Sequence, residues 1–261
     1  MSGLRVERDE GFARVTLDRP DSRNAFDAEL IAALHATFDG FANEPPEALR
    51  GIVLAGAGPA FCAGADVAWM RRSVGLSVDE NESDAAAMQA MFAAIDRCAS
   101  PLIARVHGAA LGGGMGLCAV ADIVVATADT TFGFTETRLG ILPAVIGPFV
   151  VAKIGETHAR ALFLSGARFD AERAVRIGLV HEVAADEAAL DARVDELLED
   201  LRAAGPGAAR AAKAMIRELR GADPDAARRL TIERIARQRT SPEGQEGLTA
   251  FLEKRPPSWR S

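Results

Sequence analysis

The sequence predicts an α/β fold with a mainly parallel sheet, followed by a helical C-terminal part. Three observations carry this. Short apolar runs alternate with helical patterns to about residue 190, the rhythm of strands joined by helical crossovers. The runs Gly51–Ala55 and Leu102–Val106 are apolar at nearly every position, as strands covered on both faces are. From Pro148 onward the pattern is almost wholly helical. The 261 residues suffice for one large core with an appendage. We divide them into an α/β core, 1–190, and a helical C-terminal part, 191–261.

The elements follow in order. Leu4–Arg8 and Ala13–Leu17 read as strands around the turn Asp9-Glu10-Gly11. Asp27 is placed to cap a helix carrying Leu30, Ile31, Leu34, Phe38 and Phe41, which Pro45-Pro46 ends. After strand 51–55 comes a glycine-rich loop, 56–66. Residues 71–84 are polar and weakly patterned, which predicts a loop, with Ser83 capping a helix to about Ala99. Leu102–Val106 and Ile123–Ala126 are strands on either side of Gly112-Gly113-Gly114 and a short helix. Asp170 caps another helix, and Glu187–Ala204 is a long amphipathic one broken by Gly205-Pro206-Gly207. Two or three helices complete the chain.

Composition narrows the function. Hydrophobic residues make up 49 % and charged residues 26 %, with net charge −7. An acidic chain whose basic cluster, Ala226–Arg239, alternates with apolar residues is not built for nucleic acid. Cys62, Cys98 and Cys118 sit in apolar surroundings, the setting of reduced, buried thiols. The four histidines have no metal-ligand spacing. A polar N-terminus and the lack of a long apolar run argue against a signal peptide or membrane span, so a cytoplasmic protein with no membrane partner is expected.

Gly112–Gly114, after one apolar run and before a helix, let another group approach the backbone. The free N–H groups opening that helix favour something negative. A phosphate loop needs a lysine just after the glycines, and none occurs before Lys153. A dinucleotide fingerprint lacks its third glycine, since Leu117 holds that place, although Asp129 imitates the later acid. An oxyanion hole remains, with a second donor from the Gly64-Ala65-Asp66 loop. Tight helix–strand packing is the plain alternative.

These residues resemble the crotonase (enoyl-CoA hydratase/isomerase) superfamily. The blocks are L-D-R-P-D-S-R-N-A-F (17–26), F-C-A-G-A-D-V (61–67), V-H-G-A-A-L-G-G-G (106–114), A-D-I-V-V-A (121–126), F-G-F-T-E-T-R-L-G-I-L-P (132–143), A-R-A-L-F-L-S-G (159–166), A-V-R-I-G-L-V (174–180) and G-L-T-A-F-L-E-K-R-P-P-S-W (247–259). The resemblance implies a spiral of β-β-α units, a C-terminal helical oligomerisation (trimerisation) region over 191–261, a homotrimer or homohexamer, and an acyl-CoA thioester substrate with no separate cofactor. By position, the family's oxyanion N–H groups fall on Ala65 and Gly113. Its substrate contacts fall on Ala63, Gly64, Asp66, Val67, Trp69, Gly112, Gly116, Phe251 and Lys254, with plain core the alternative for Phe251.

The family's hydratases use two glutamates. One matches Glu136; the place of the other, two residues past the glycine triplet, is Gly116. A second departure is Pro143-Ala144-Val145-Ile146-Gly147, where many relatives have P-G-x-G-G. Hydration divides naturally between two carboxylates, whereas a 1,3-proton shift needs one. The apolar neighbours Phe132, Phe134 and Leu139 should raise the Glu136 pKa; a surface ion pair with Arg138 is the alternative. The segment around Glu136, with A-D-V-A-W-M-R-R (65–72), is most similar to bacterial methylglutaconyl-type hydratases, which act on substrates with a second carboxylate. The expectation is therefore an enoyl-CoA hydratase, with enoyl-CoA isomerase and a non-catalytic acyl-CoA binder as alternatives. The substrate's own acid group, or another acid, would help position water in the space that Gly116 leaves, with Arg71 or Arg72 binding the substrate carboxylate; solvation at the rim is the alternative for both arginines.

Overall fold

The computed structural model describes residues 3–260. A six-stranded sheet runs in the order β1-β2-β3-β4-β6-β9. Its strands are β1 (Leu4–Asp9), β2 (Phe12–Leu17), β3 (Gly51–Gly56), β4 (Leu102–Val106), β6 (Ile123–Thr127) and β9 (Glu182–Ala184). Within this sheet only the β1–β2 hairpin is antiparallel. A small sheet orders β5 (Ala109–Leu111), β7 (Thr131–Gly133) and β8 (Arg168–Phe169).

The apolar strands are covered on both faces, as their composition predicts. Ile52, Leu54, Leu102, Ala104, Val124 and Ala126 face the main core with α1 (Ala28–Ala42), α3 (Val78–Arg97), α4 (Gly113–Val120) and α5 (Gly147–Ser165). The alternate residues Val53, Ile103 and Val125 face the other way, against Leu190, Val194 and Leu197 of α7 (Glu187–Ala203). The period of two along each strand thus divides one sheet between two cores.

Asp27 and Asp170 cap α1 and α6 (Ala171–Arg176), each side chain accepting a backbone N–H at 2.8 Å. The stretch 71–84 is not a loop. Helix α2 (Val67–Ser73) enters it and α3 starts at Val78. The Ser77 hydroxyl accepts the Glu80 N–H while the Glu80 carboxylate accepts the Ser77 N–H. That reciprocal box stabilises a polar helix start which hydrophobic periodicity does not reveal, and Ser83 lies inside the helix. The C-terminal helices α8 (Pro206–Leu219), α9 (Pro224–Thr240) and α10 (Pro242–Glu253) pack on one another. No helix among the described residues is long and apolar enough to cross a membrane.

Three turns of a spiral follow one plan. Each sends a strand through the large sheet, then a short extended piece through the small one, then a helix. The pieces are β3, the Cys62 bridge and α2–α3; β4, β5 and α4; β6, β7 and α5.

Candidate active site

The short pieces stack in parallel. Cys62 N–H donates to the Ala109 carbonyl at 3.0 Å, Leu111 N–H to the Cys62 carbonyl at 3.0 Å, and Gly112 N–H to the Gly133 carbonyl at 2.9 Å. Whatever follows each piece is stacked too: Gly64-Ala65, Gly112-Gly113 and Thr135-Glu136. Gly64 (φ 97°) and Gly112 (φ 48°) take the left-handed region, which glycine enters without strain. A β-carbon on Gly112 would stand 3.4 Å from Glu136 Oε1 and 3.6 Å from the Gly64 Cα. Residues far apart in sequence thereby meet at one point.

Two backbone donors lie free there. Phe26 forms a parallel bridge with Ala65. Phe26 N–H donates to the Gly64 carbonyl at 2.7 Å, and Asp66 N–H donates to the Phe26 carbonyl at 2.9 Å. In such a bridge the N–H of the central residue, Ala65, points away from its partner. Gly113 opens α4, so its N–H has no helical acceptor. Neither N–H has a partner among the described residues.

Glu136 starts a single 3-10 turn, Glu136–Leu139, between β7 and α5. Its Oε2 is buried with no hydrogen-bond partner. Burial raises its pKa above the ordinary carboxylate range, as the sequence predicts. It forms no ion pair among the described residues, so the Arg138 alternative is not realised. No cluster of metal-ligating side chains occurs among the described residues.

The expected space beside Gly116 is filled. A β-carbon there would stand 2.5 Å from Ile146 Cγ2 and 2.7 Å from two ring carbons of Phe92. Both side chains are buried. The Phe92 ring is braced by Phe26 edge-on and by Phe149, each at a centroid distance of 6.0 Å. The two departures from the family pattern are therefore one in space. Ile146, which stands where the pattern expected from the resemblance has glycine, brings a branched side chain into the volume that a β-carbon at position 116 would need.

Comparison with known proteins decides the family. The family model for enoyl-CoA hydratase/isomerase matches residues 7–261. The chain belongs to this family. The chain is similar to the enoyl-CoA hydratase ACTT6 of Alternaria alternata, 35 % identical over 225 residues, 86 % of this chain and 72 % of that one. Pseudomonas aeruginosa AtuE superposes with a TM-score of 0.95 at 39 % identity, covering 99 % of this chain and all 100 % of that one. An enoyl-CoA hydratase structure from Shewanella pealeana gives 0.93 at 35 % identity, covering 98 % and 96 %. The crotonase-type spiral and the helical C-terminal region expected from sequence are thus both found.

The remaining expected positions of this enoyl-CoA hydratase/isomerase chain divide into two groups. Ala63, Gly64, Asp66, Val67 and Trp69 run from the Ala65 turn into α2. The Asp66 side chain caps that helix by accepting the Ala68 and Trp69 N–H groups. Val67 is exposed, while Trp69 packs partly on the core and its indole N–H donates to Asp84 at 3.2 Å. Arg72 also pairs with Asp84, at 3.1 Å, so it is already engaged; Arg71 is exposed. Phe251 and Lys254 lie apart, on α10, which packs on α8 and α9. Phe251 is 80 % exposed rather than core.

Sequence reasoning named the block 17–26 without giving its residues work. Arg19 bridges Asp27 at 2.8 Å and Asp66 at 3.3 Å, so one guanidinium joins the caps of α1 and α2. Asn24 is fully buried and left-handed (φ 57°). Its amide donates to the Ala57 and Ala60 carbonyls, both at 2.8 Å, and its carbonyl oxygen accepts the Arg19 N–H at 2.9 Å. Together they fasten the loop that carries Ala65. The signal available was a buried-type asparagine beside arginine and proline, which marks a built turn. All three cysteines are free and buried, and burial pushes the Cys62 and Cys118 thiols up to about 12.

Proposed function

We propose that this chain adds water to a 2-enoyl-CoA, with Glu136 as its one acid/base and the Ala65 and Gly113 N–H groups as the oxyanion hole. The observation that carries this is the buried, unpartnered Glu136 Oε2, with Oε1 beside Gly112, the residue that precedes the Gly113 donor. The hydratase names of relatives favour hydration over other reactions of the family.

The chemistry balances with one carboxylate. Ionised Glu136 takes a proton from water as the water oxygen bonds to C3. The double-bond electrons move toward the thioester, whose oxygen becomes the enolate oxygen. Two fixed N–H donors oppose that charge, each contributing about 3 kcal/mol. Protonated Glu136 then gives its proton to C2, which restores the carboxylate and the thioester carbonyl. CoA arrives with the substrate, so no separate cofactor enters. Branched and dicarboxylic acyl groups are the substrates we favour.

One observation supports a second reading, isomerisation of a 3-enoyl to a 2-enoyl thioester. With Ile146 and Phe92 filling the place beside Gly116, the same carboxylate suffices to take a proton from C2 and return it to C4. The test is turnover of crotonyl-CoA and 3-methylglutaconyl-CoA beside a 3-enoyl-CoA. Hydrated product from either 2-enoyl substrate is expected. Double-bond migration alone would replace hydration by isomerisation, and no turnover of any would leave a CoA-thioester binder.

The C-terminal helices fit self-association. Ile232 and Ile235 of α9 stand 49–59 % exposed in an open apolar groove between α8 and α9, and Ile216 of α8 is 64 % exposed nearby in sequence; contiguous exposed apolar surface of this kind marks interaction sites. We assign them to a homotrimer or homohexamer. Sedimentation equilibrium should give a mass of three or six chains; a monomer would refute the assignment.

A further inference from the structure

We infer that Phe26 is the positioning residue that sets the relation between the two oxyanion donors, acting on one through its backbone and on the other through its ring. The inference rests on the reading of Ala65 and Gly113 as that pair.

The backbone part is the bridge to Ala65. By binding the residues on either side of Ala65, at 2.7 and 2.9 Å, Phe26 fixes the peptide plane between Gly64 and Ala65. The Ala65 N–H is left without a partner as a direct result. The ring part is contact with Gly113. A β-carbon on Gly113 would lie 2.5 Å from Phe26 Cδ2 and Cε2 but 3.9 Å from Cγ, so the ring edge occupies the side-chain position of the second donor residue. The first turn of α4 rests on that ring. No other residue touches both donors in this way in the described contacts: Gly64 meets Gly112, and Cys62 meets Gly114.

The ring is itself held. Phe26 is fully buried, and it meets Phe92 edge-on at 88° between planes. Phe92 in turn rests on Gly116, one turn further along α4. The aromatic pair thus supports α4 at two successive turns of one face. A donor pair is useful only if its separation is fixed before charge develops on the oxygen, and a rigid ring with one covalent link to the Ala65 bridge supplies that fixity.

The consequence is specific. Shortening the side chain removes the support of Gly113 but leaves the backbone bridge to Ala65 and Glu136 in place. The thioester still binds, but its oxygen meets one well-placed donor instead of two. Phe26→Ala should therefore lower kcat about 10- to 100-fold while changing KM little. Phe26→Leu, which refills most of the volume, should recover part of that loss.

The readout that separates positioning from plain core packing is the carbonyl of crotonyl-CoA labelled with carbon-13 at the thioester carbon, followed by isotope-edited infrared difference spectroscopy. In the wild-type complex the carbonyl stretch should fall, because both N–H groups polarise it. In Phe26→Ala most of that fall should vanish, and in Phe26→Leu less of it. Phe38→Ala is the control. Phe38 is equally buried, but it lies on α1 against Phe41. It should lower the melting temperature and leave both kcat and the carbonyl stretch unchanged. A normal stretch in Phe26→Ala, or one lost equally in Phe38→Ala, would overturn the inference while the donor pair stands. An unshifted carbonyl in the wild-type protein would instead overturn the donor assignment, and the role of Phe26 with it.

Discussion

Glu136→Gln lowers turnover about a hundred- to ten-thousand-fold, the range for removing a positioned acid/base, with the fold intact. Gln keeps the shape of the side chain and cannot take the proton. The loss should appear in kcat on whichever enoyl-CoA the wild-type protein converts; retention of more than about a tenth of the rate would show that another group moves the proton. The pH dependence follows from the same burial. The Glu136 pKa is raised, chiefly by desolvation, so the carboxylate must lose its proton above the ordinary carboxylate range before it can act as base. The acid limb of kcat/KM should sit above about 4.3 and disappear in Glu136→Gln.

Stability should shift the opposite way to activity. A carboxyl whose folded pKa is raised keeps its full contribution below its unfolded pKa and loses stability as pH rises through the folded value. Ionised Glu136 is the form that burial disfavours. Glu136→Gln should therefore melt at or above the wild-type temperature at neutral pH, and the two should converge in acid. A variant that melts well below wild type at neutral pH would mean that Oε2 has a partner that the unpaired geometry denies it.

The second large effect is expected at Gly116. Helix propensity alone favours Gly116→Ala by about 1 kcal/mol. Against it stands a β-carbon 2.5 Å from Ile146 Cγ2 and 2.7 Å from the Phe92 ring. Neither neighbour is a flexible end, since both are buried and Phe92 is held between two rings. Overpacking of this kind costs about 1–3 kcal/mol, so the substitution should destabilise despite propensity. Gly116→Glu should cost more, because it also buries a carboxylate. For a chain of this size each kcal/mol lowers the melting temperature by about 2–4 °C.

The coupling is the sharper test. If Ile146 fills the room that a side chain at 116 requires, Ile146→Gly with Gly116→Glu should be more stable than the sum of the single changes predicts, by about 0.5–3 kcal/mol. Thermal melts of the four proteins in the cycle measure this. Strict additivity would mean that the two departures from the family pattern are unrelated. The same double variant asks whether a second carboxylate changes the ratio of hydration to isomerisation.

By itself the sequence determined the class of the protein and most of its elements. Alternating apolar runs, caps such as Asp27 and Asp170, and the breaker Gly205-Pro206-Gly207 are local signals, and local chemistry writes them into consecutive residues. The family blocks named Ala65, Gly113 and Glu136 because each lies in its own short motif. The start of α3 escaped because a side-chain box, not an apolar stripe, stabilises it. What only the tertiary structure decided is contact between distant turns. Stacking of the Cys62, β5 and β7 segments brings Gly64, Gly112 and Glu136 to one point, and nothing in sequence spacing records that register. The meaning of Gly116 was hidden for the same reason. In sequence it is a missing acid beside room for water; in space Ile146 and Phe92 have taken that volume, because a packed core leaves no void where a side chain is withdrawn.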